Sequence, residues 1–190
     1  EGTGMAGSSL GGISSLWIAW HHAGSFGRVA SFSGSYWVGQ AGSGTEGVPT
    51  MQEVLAQAPP TADQLALRIY LDSGTASSMG QPGLDYTGDA RSYTDWTRNA
   101  LIGMGFDNRP EWDDDGDLGT PPQDFPADAS PAEVPTLYWS GTVPAPYVSW
   151  EDYLRPQNDL LHLVGEGHGH SEAAWAQRFG AMLRFLYPAP

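Results

Sequence analysis

The sequence contains no cysteine and no lysine. Without cysteine there are no disulfides, no thiolate metal sites and no cysteine nucleophile, and the redox compartment stays undecided. Without lysine, all eight cations are arginine, set against 22 Asp+Glu for a formal net charge of -14. Such a surface repels phosphate backbones and anionic membranes, which excludes nucleic acid as an expected partner. No apolar run approaches the roughly 18 residues of a membrane span. The basic-then-apolar layout of a signal peptide is also missing. The first residues run straight into a strand end and a turn, so the gene product is expected to begin upstream of Glu1.

What is present suits a globular chain: 190 residues, 40% of them apolar, enough for a single domain over 1–190 with its own core. Gly2 to Gly7 is small and reads as a strand end, and Ile13, Leu16, Trp17 and Trp20 then recur at helical spacing until His22-Ala23-Gly24. Arg28 to Ser33 is a short apolar strand closed by Gly34. Gly39 to Thr50 reads as loop, and Met51 to Ala58 as a short helix before Pro59-Pro60. Leu67 to Asp72 is the cleanest strand. Ser92 to Met104 is a helix with Tyr93, Trp96, Ala100, Leu101 and Met104 on one face. Leu160 to Val164 is a further strand, and Ser171 to Leu186 a closing amphipathic helix. Alternating strand and helix signals an α/β fold with a mostly parallel sheet and helices on both faces. Residues 107–156 break the rhythm with nine prolines and the run Asp113-Asp114-Asp115-Gly116-Asp117, and read as an excursion from the sheet.

Gly7-Ser8-Ser9-Leu10-Gly11 matches G-x-S-x-G, in which a serine occupies a strained strand-to-helix turn and the flanking glycines let backbones pass closely. Alone the pattern is weak in a glycine-rich chain; the helix directly behind it and the strand after that strengthen it. Serine is a poor nucleophile at neutral pH and needs a base, which in this arrangement follows in the order Ser, acid, His. His21 and His22 end a helix, where histidine is favoured by the dipole, and His162 lies inside a strand. His168 and His170 stand in the loop after the last strand, where a base belongs. For the acid, the segment after Leu71-Asp72-Ser73-Gly74 offers Asp85 and Asp89, while Asp72 and Asp95 fall within elements and read as structural or surface carboxylates.

These segments resemble the putative-esterase group of α/β-hydrolases, which includes enterochelin-esterase-like and feruloyl-esterase-like enzymes. The resemblance rests on Gly7 to Gly12, on Phe26 to Trp37, on Tyr70-Leu71-Asp72-Ser73-Gly74-Thr75 and on Gly169-His170-Ser171-Glu172-Ala173-Ala174-Trp175-Ala176-Gln177-Arg178, in the family's order across nearly the whole chain. It implies an α/β-hydrolase fold, a triad of Ser9, Asp89 and His170, and no cofactor or metal. The tail motif selects His170 over His168, and the family's spacing back from Gly105 favours Asp89 over Asp85. Leu10 N–H would be one oxyanion donor; the second comes in this family from a strand before the elbow. About four such N-terminal strands stand before the elbow in this family, and that half is expected either upstream of Glu1 in a longer polypeptide or in a separate chain acting as partner. The substrate implied is a small-molecule, carbohydrate, aryl or siderophore ester, in an extracytoplasmic, secreted or periplasmic setting.

Four readings compete with plain hydrolysis or add to it. An esterase-fold scaffold without catalysis would dispense with a contact between Ser9 and His170, and an acyltransferase would use the same residues with another alcohol as acceptor. Glu111, Asp113, Asp115 and Gly116 imitate the start of a calcium loop, but Pro122 stands where an EF-hand requires glutamate, so a solvated loop is expected. Trp112, Trp139, Tyr147 and Trp150 either line an acceptor site or pin the excursion to the body.

Overall fold

The computed structural model describes residues 3–76, 87–106, 108–109, 137–139, 160–165 and 167–187. Asp85, the acidic run, Trp112, Tyr147 and Trp150 lie outside them. In chain order the elements are β1 (Gly4–Ser8), α1 (Leu10–His21), β2 (Arg28–Phe32), α2 (Met51–Ala56), α3 (Ala62–Leu65), β3 (Arg68–Gly74), α4 (Thr87–Gly103), β4 (Asn108–Arg109), β5 (Leu137–Trp139), β6 (Leu160–Gly165) and α5 (Glu172–Leu186).

The six strands form one sheet in the order β1-β2-β3-β6-β4, with β5 also on β6, and every pairing among them is parallel. β4 pairs with Leu160 and Leu161 and β5 with Leu163 to Gly165, so the two short pieces follow one another along the far edge of β6. The segment expected to leave the sheet between 107 and 156 therefore returns to it twice. Strands of two and three residues are too short to show any period in sequence.

Both faces of the sheet are covered, and the strands divide their side chains between them with period two. Val29, Ile69, Leu71 and Leu160 face a core with Leu16, Ala19 and Trp20 of α1, Val54 and Leu55 of α2, and Tyr93 and Leu101 of α4. Ala30, Phe32, Tyr70, Leu161 and Leu163 face the opposite core, closed by Ala181, Met182, Phe185 and Leu186 of α5. Each fully buried aliphatic side chain of this kind contributes about 1.5–3 kcal/mol. Burial on both faces is why β2, β3 and β6 read as continuous apolar runs rather than alternating ones. No helix among the described residues is long and apolar enough to cross a membrane.

Several boundaries depart from the sequence expectation for identifiable reasons. α2 stops at Ala56, two residues short of the expected end. α3 was not anticipated, yet both helices start on a capping box: Thr50 with Glu53, and Thr61 with Gln64, each pair exchanging side-chain and backbone bonds. The T-x-x-Q signature at Thr61 was the missed signal. β3 runs on through Ser73 and Gly74, both buried. Trp17 and Trp96, expected on core faces, are 45% and 40% exposed. Besides Tyr93 and Leu101, α4 buries Thr94, Asp95, Thr97, Arg98 and Asn99, where Arg98 bonds Asp95 at 2.9 Å and His162 of β6 at 2.7 Å. Tyr93, Ala100, Leu101 and Met104 of the expected face do pack on the core, so periodicity located the apolar part of the buried face and missed its polar part.

Candidate active site

The carboxyl ends of four adjacent parallel strands meet at one edge, where ligands bind in open α/β sheets. Ser9 follows β1, Ser33 follows β2, Gly74 ends β3 and the His168–His170 loop follows β6.

Ser9 joins β1 to α1 with φ 56° and ψ -125°, a left-handed value costly for any residue with a Cβ. It holds the N-cap position, but its side chain makes no capping bond. The elbow is tied down by its backbone: Ser9 N–H donates to Phe32 O at 2.9 Å, and Ser35 N–H donates to Ser9 O at 3.0 Å. A Cβ on Gly7 would lie 2.4 Å from Gly11 O, and one on Gly12 would lie 2.7 Å from Ser31 Oγ. At Gly11 a Cβ would meet open space. The close approach expected of Gly7 and Gly11 is thus required of Gly7 and Gly12. Gly7→Ala is expected to destabilise by about 1–3 kcal/mol through overpacking. Gly11→Ala, in a helix and unhindered, is expected to stabilise by up to about 1 kcal/mol. Urea midpoints of the two variants, at unchanged slope, check the contrast.

Leu10 is the first residue of α1, so its N–H has no carbonyl within the helix to bond, and it lies at the positive end of the helix dipole. Its side chain is 57% exposed.

Asp89 lies in the first turn of α4 rather than in a loop before it, and both Asp89 and Ala90 have positive φ, at 61° and 56°. This left-handed pair turns the carboxylate inward. Asp89 is 2% exposed; its Oδ1 is 2.7 Å from His170 Nδ1, while its Oδ2 accepts from Ser33 Oγ and from Gly74 N–H at 3.2 Å. His170 is partly exposed, with its ring edge-on to Trp175 at 5.1 Å between centroids.

The structure brings Asp89 and His170 together and sets Ser9 on the elbow. Among the described residues the hydrogen-bond partner of Ser9 Oγ is Ser35 Oγ, at 3.3 Å, and not His170. His168 takes a different part: its Nδ1 accepts from Arg178 Nη1 at 3.0 Å, and burial together with the Arg178 charge lowers its pKa, which suits a neutral acceptor. His21 stacks on Trp17 and its Nδ1–H donates to Trp17 O at 2.8 Å within α1, and His162 is buried with Arg98 on the other side of β6.

Two residues missed in the sequence stand behind this group. Arg178 of α5 is fully buried and binds Asp72 bidentately, Nε to Oδ2 at 2.8 Å and Nη2 to Oδ1 at 3.0 Å. Ser33 N–H at 2.8 Å and Tyr70 O–H at 2.9 Å complete the donors to Asp72. Burial pushes the Asp72 carboxyl up, with Arg178 and the other donors pulling against it; burial works to lower the Arg178 pKa, and the Asp72 charge more than offsets this. Ser33, with φ 44°, accepts from Trp175 Nε1 at 2.9 Å and from Arg178 Nη2 at 3.1 Å. A cation at Arg178, among the buried Ala174, Ala181, Met182 and Phe185 of α5, was the readable signal.

Among the described residues no group of carboxylates and histidines could hold a metal ion. A cleft between α1 and α2, lined by Ile13, Trp17, Val48, Met51 and Val54 among others, does not include Ser9, Asp89 or His170.

No curated protein matches the chain. Among solved structures it is similar to the ferric enterobactin esterase of Salmonella typhimurium, at 17% identity over 96% of this chain and 29% of that one, with a TM-score of 0.48. It is also similar to the enterochelin esterase of Shigella flexneri, at 21% identity over 97% of this chain and 30% of that one, with a TM-score of 0.49. The chain thus spans under a third of the length of either. The sequence profile described as Putative esterase matches residues 1–115, more than half of the 190. On that match, which takes in the elbow, the strands β1 to β3 and Asp89, the chain belongs to the putative-esterase family.

Proposed function

We propose that the protein is a serine carboxylic ester hydrolase with Ser9 as nucleophile, His170 as general base and Asp89 as the acid that orients it. The observation that carries this reading is the 2.7 Å contact between His170 Nδ1 and a buried Asp89, at the same sheet edge as a serine in a left-handed elbow. In the reaction Ser9 Oγ bonds to the ester carbonyl carbon as its proton passes to His170 Nε2. The carbonyl oxygen becomes an oxyanion, received by Leu10 N–H at the start of α1. Collapse breaks the bond to the alcohol, which leaves with the proton from His170. Water then attacks the acyl-enzyme with His170 again as base, releasing the acid and restoring Ser9. The chemistry needs no cofactor. Family membership puts carbohydrate, aryl and siderophore esters among the candidate substrates, and the acidic, lysine-free composition suits an extracytoplasmic enzyme.

A scaffold reading draws on the pairing of Ser9 Oγ with Ser35 Oγ. That bond is long for two hydroxyls, and nucleophile contacts commonly tighten only when substrate binds. Treatment with a fluorophosphonate separates the two readings. Hydrolase chemistry gives a single covalent adduct, located on Ser9 by peptide mass. A folded protein that takes up no label would leave the scaffold.

A further inference from the structure

The proton arrangement of the Asp89–His170 pair is set from behind it. Trp175 Nε1–H and Arg178 Nη2–H both point at Ser33 Oγ, at 2.9 and 3.1 Å, and both groups can only donate. A hydroxyl has two acceptor lone pairs and one hydrogen. With both lone pairs taken, the hydrogen of Ser33 has one direction left, towards Asp89 Oδ2. Gly74 N–H reaches the same oxygen at 3.2 Å. Oδ2 therefore meets two donors, which leave no place on that oxygen for an acid proton. Oδ1 meets His170 Nδ1. With Asp89 ionised, Nδ1 must carry the hydrogen, and Nε2 is left with its lone pair.

We infer that Ser33 is a positioning residue: driven by Trp175 and Arg178, its hydroxyl fixes Asp89 as a carboxylate and so selects the His170 tautomer whose Nε2 can act as base. The inference rests on the proposed roles of Asp89 and His170. Ser33 is itself held from the other side, since its N–H is bound to Asp72 Oδ1 at 2.8 Å and Asp72 is clamped by Arg178. Ser33 and Asp89 are each 2% exposed, so bulk water cannot replace the bond. The arrangement runs from α5 through the ends of β2 and β3 to the first turn of α4, and converts fixed donors into one protonation pattern.

The test follows the far-downfield proton resonance of a histidine Nδ1–H bonded to carboxylate, assigned by its absence in His170→Gln. Wild type is expected to show it. Ser33→Ala is expected to lose it or move it upfield and to lower kcat by about 10- to 100-fold with KM within about twofold, the scale of a misplaced catalytic group. Near-UV circular dichroism checks that the variant is folded. Trp175→Phe keeps a ring beside His170 but frees one lone pair of Ser33, and is expected to shift the resonance part of the way. Should Ser33→Ala not fold, Trp175→Phe decides alone. A resonance and kcat equal to wild type in whichever folded variant is read would overturn the inference. Failure of wild type to react with a fluorophosphonate would instead sink the hydrolase reading, while the resonance still reports whether Ser33 orders Asp89 and His170.

Discussion

Ser9→Ala is expected to lower ester hydrolysis by about 10⁴- to 10⁶-fold and to eliminate fluorophosphonate labelling, with His170→Ala falling nearly as far because nucleophile and base act as a unit. The reason is chemical rather than structural. The Ser9 side chain makes no cap for α1 and one 3.3 Å bond to Ser35, whereas the elbow is held by backbone bonds to Phe32 and Ser35 that alanine keeps. Alanine also tolerates the left-handed φ no worse than serine does. The thermal midpoint should therefore stay within a few degrees of wild type while activity disappears. Activity on a chromogenic ester, read beside the melting curve, checks both halves. Persistent turnover or labelling in Ser9→Ala would move the chemistry to another residue.

The parts of this molecule that could be read in the sequence are those in which one local constraint decides the answer. β1, the elbow and α1 follow from small residues before a helical apolar period, and β3 and β6 from apolar runs bounded by turns. Even there the physical detail shifted, since the elbow is closed by Gly7 and Gly12 while Gly11 faces open space. Asp89 is different. Its choice over Asp85 rested on the spacing of a family, because what aims the carboxylate inward is the left-handed pair Asp89–Ala90, and neither residue announces that conformation. The network behind the site was overlooked because pattern reading sorts residues into apolar and polar faces. Arg178 stands on the apolar face of α5, and Asp72 stands between Leu71 and Ser73 in a strand buried on both sides. Each looks like a lapse in its own element. Each is explained by the other, 106 positions away in sequence, and no local window contains both.

That pair carries the second large effect. Arg178→Ala removes both bidentate bonds to Asp72 and leaves a fully buried carboxylate with only Ser33 N–H and Tyr70 O–H. Breaking one side of a buried ion pair costs about 3–5 kcal/mol, which for a chain of this size lowers the thermal midpoint by roughly 6–20 °C. The loss should depend on pH with a definite sign. Burial raises the Asp72 pKa and Arg178 lowers it, so removing the arginine leaves burial less opposed and raises the folded-state value further above the unfolded one. Stability tied to such a group is fully present below the unfolded pKa and is lost as pH rises through the folded pKa. The variant should accordingly lie closer to wild type at pH 5 than at pH 8, because Asp72 escapes its buried charge by taking a proton. Melting curves of both proteins across that interval read the difference directly. A gap between them that stays constant or widens towards acid would show that Asp72 does not bear the uncompensated charge. Asp72→Asn added to Arg178→Ala removes the ionisable group and should flatten the dependence, which separates the lost ion pair from the lost bond between Arg178 and Ser33.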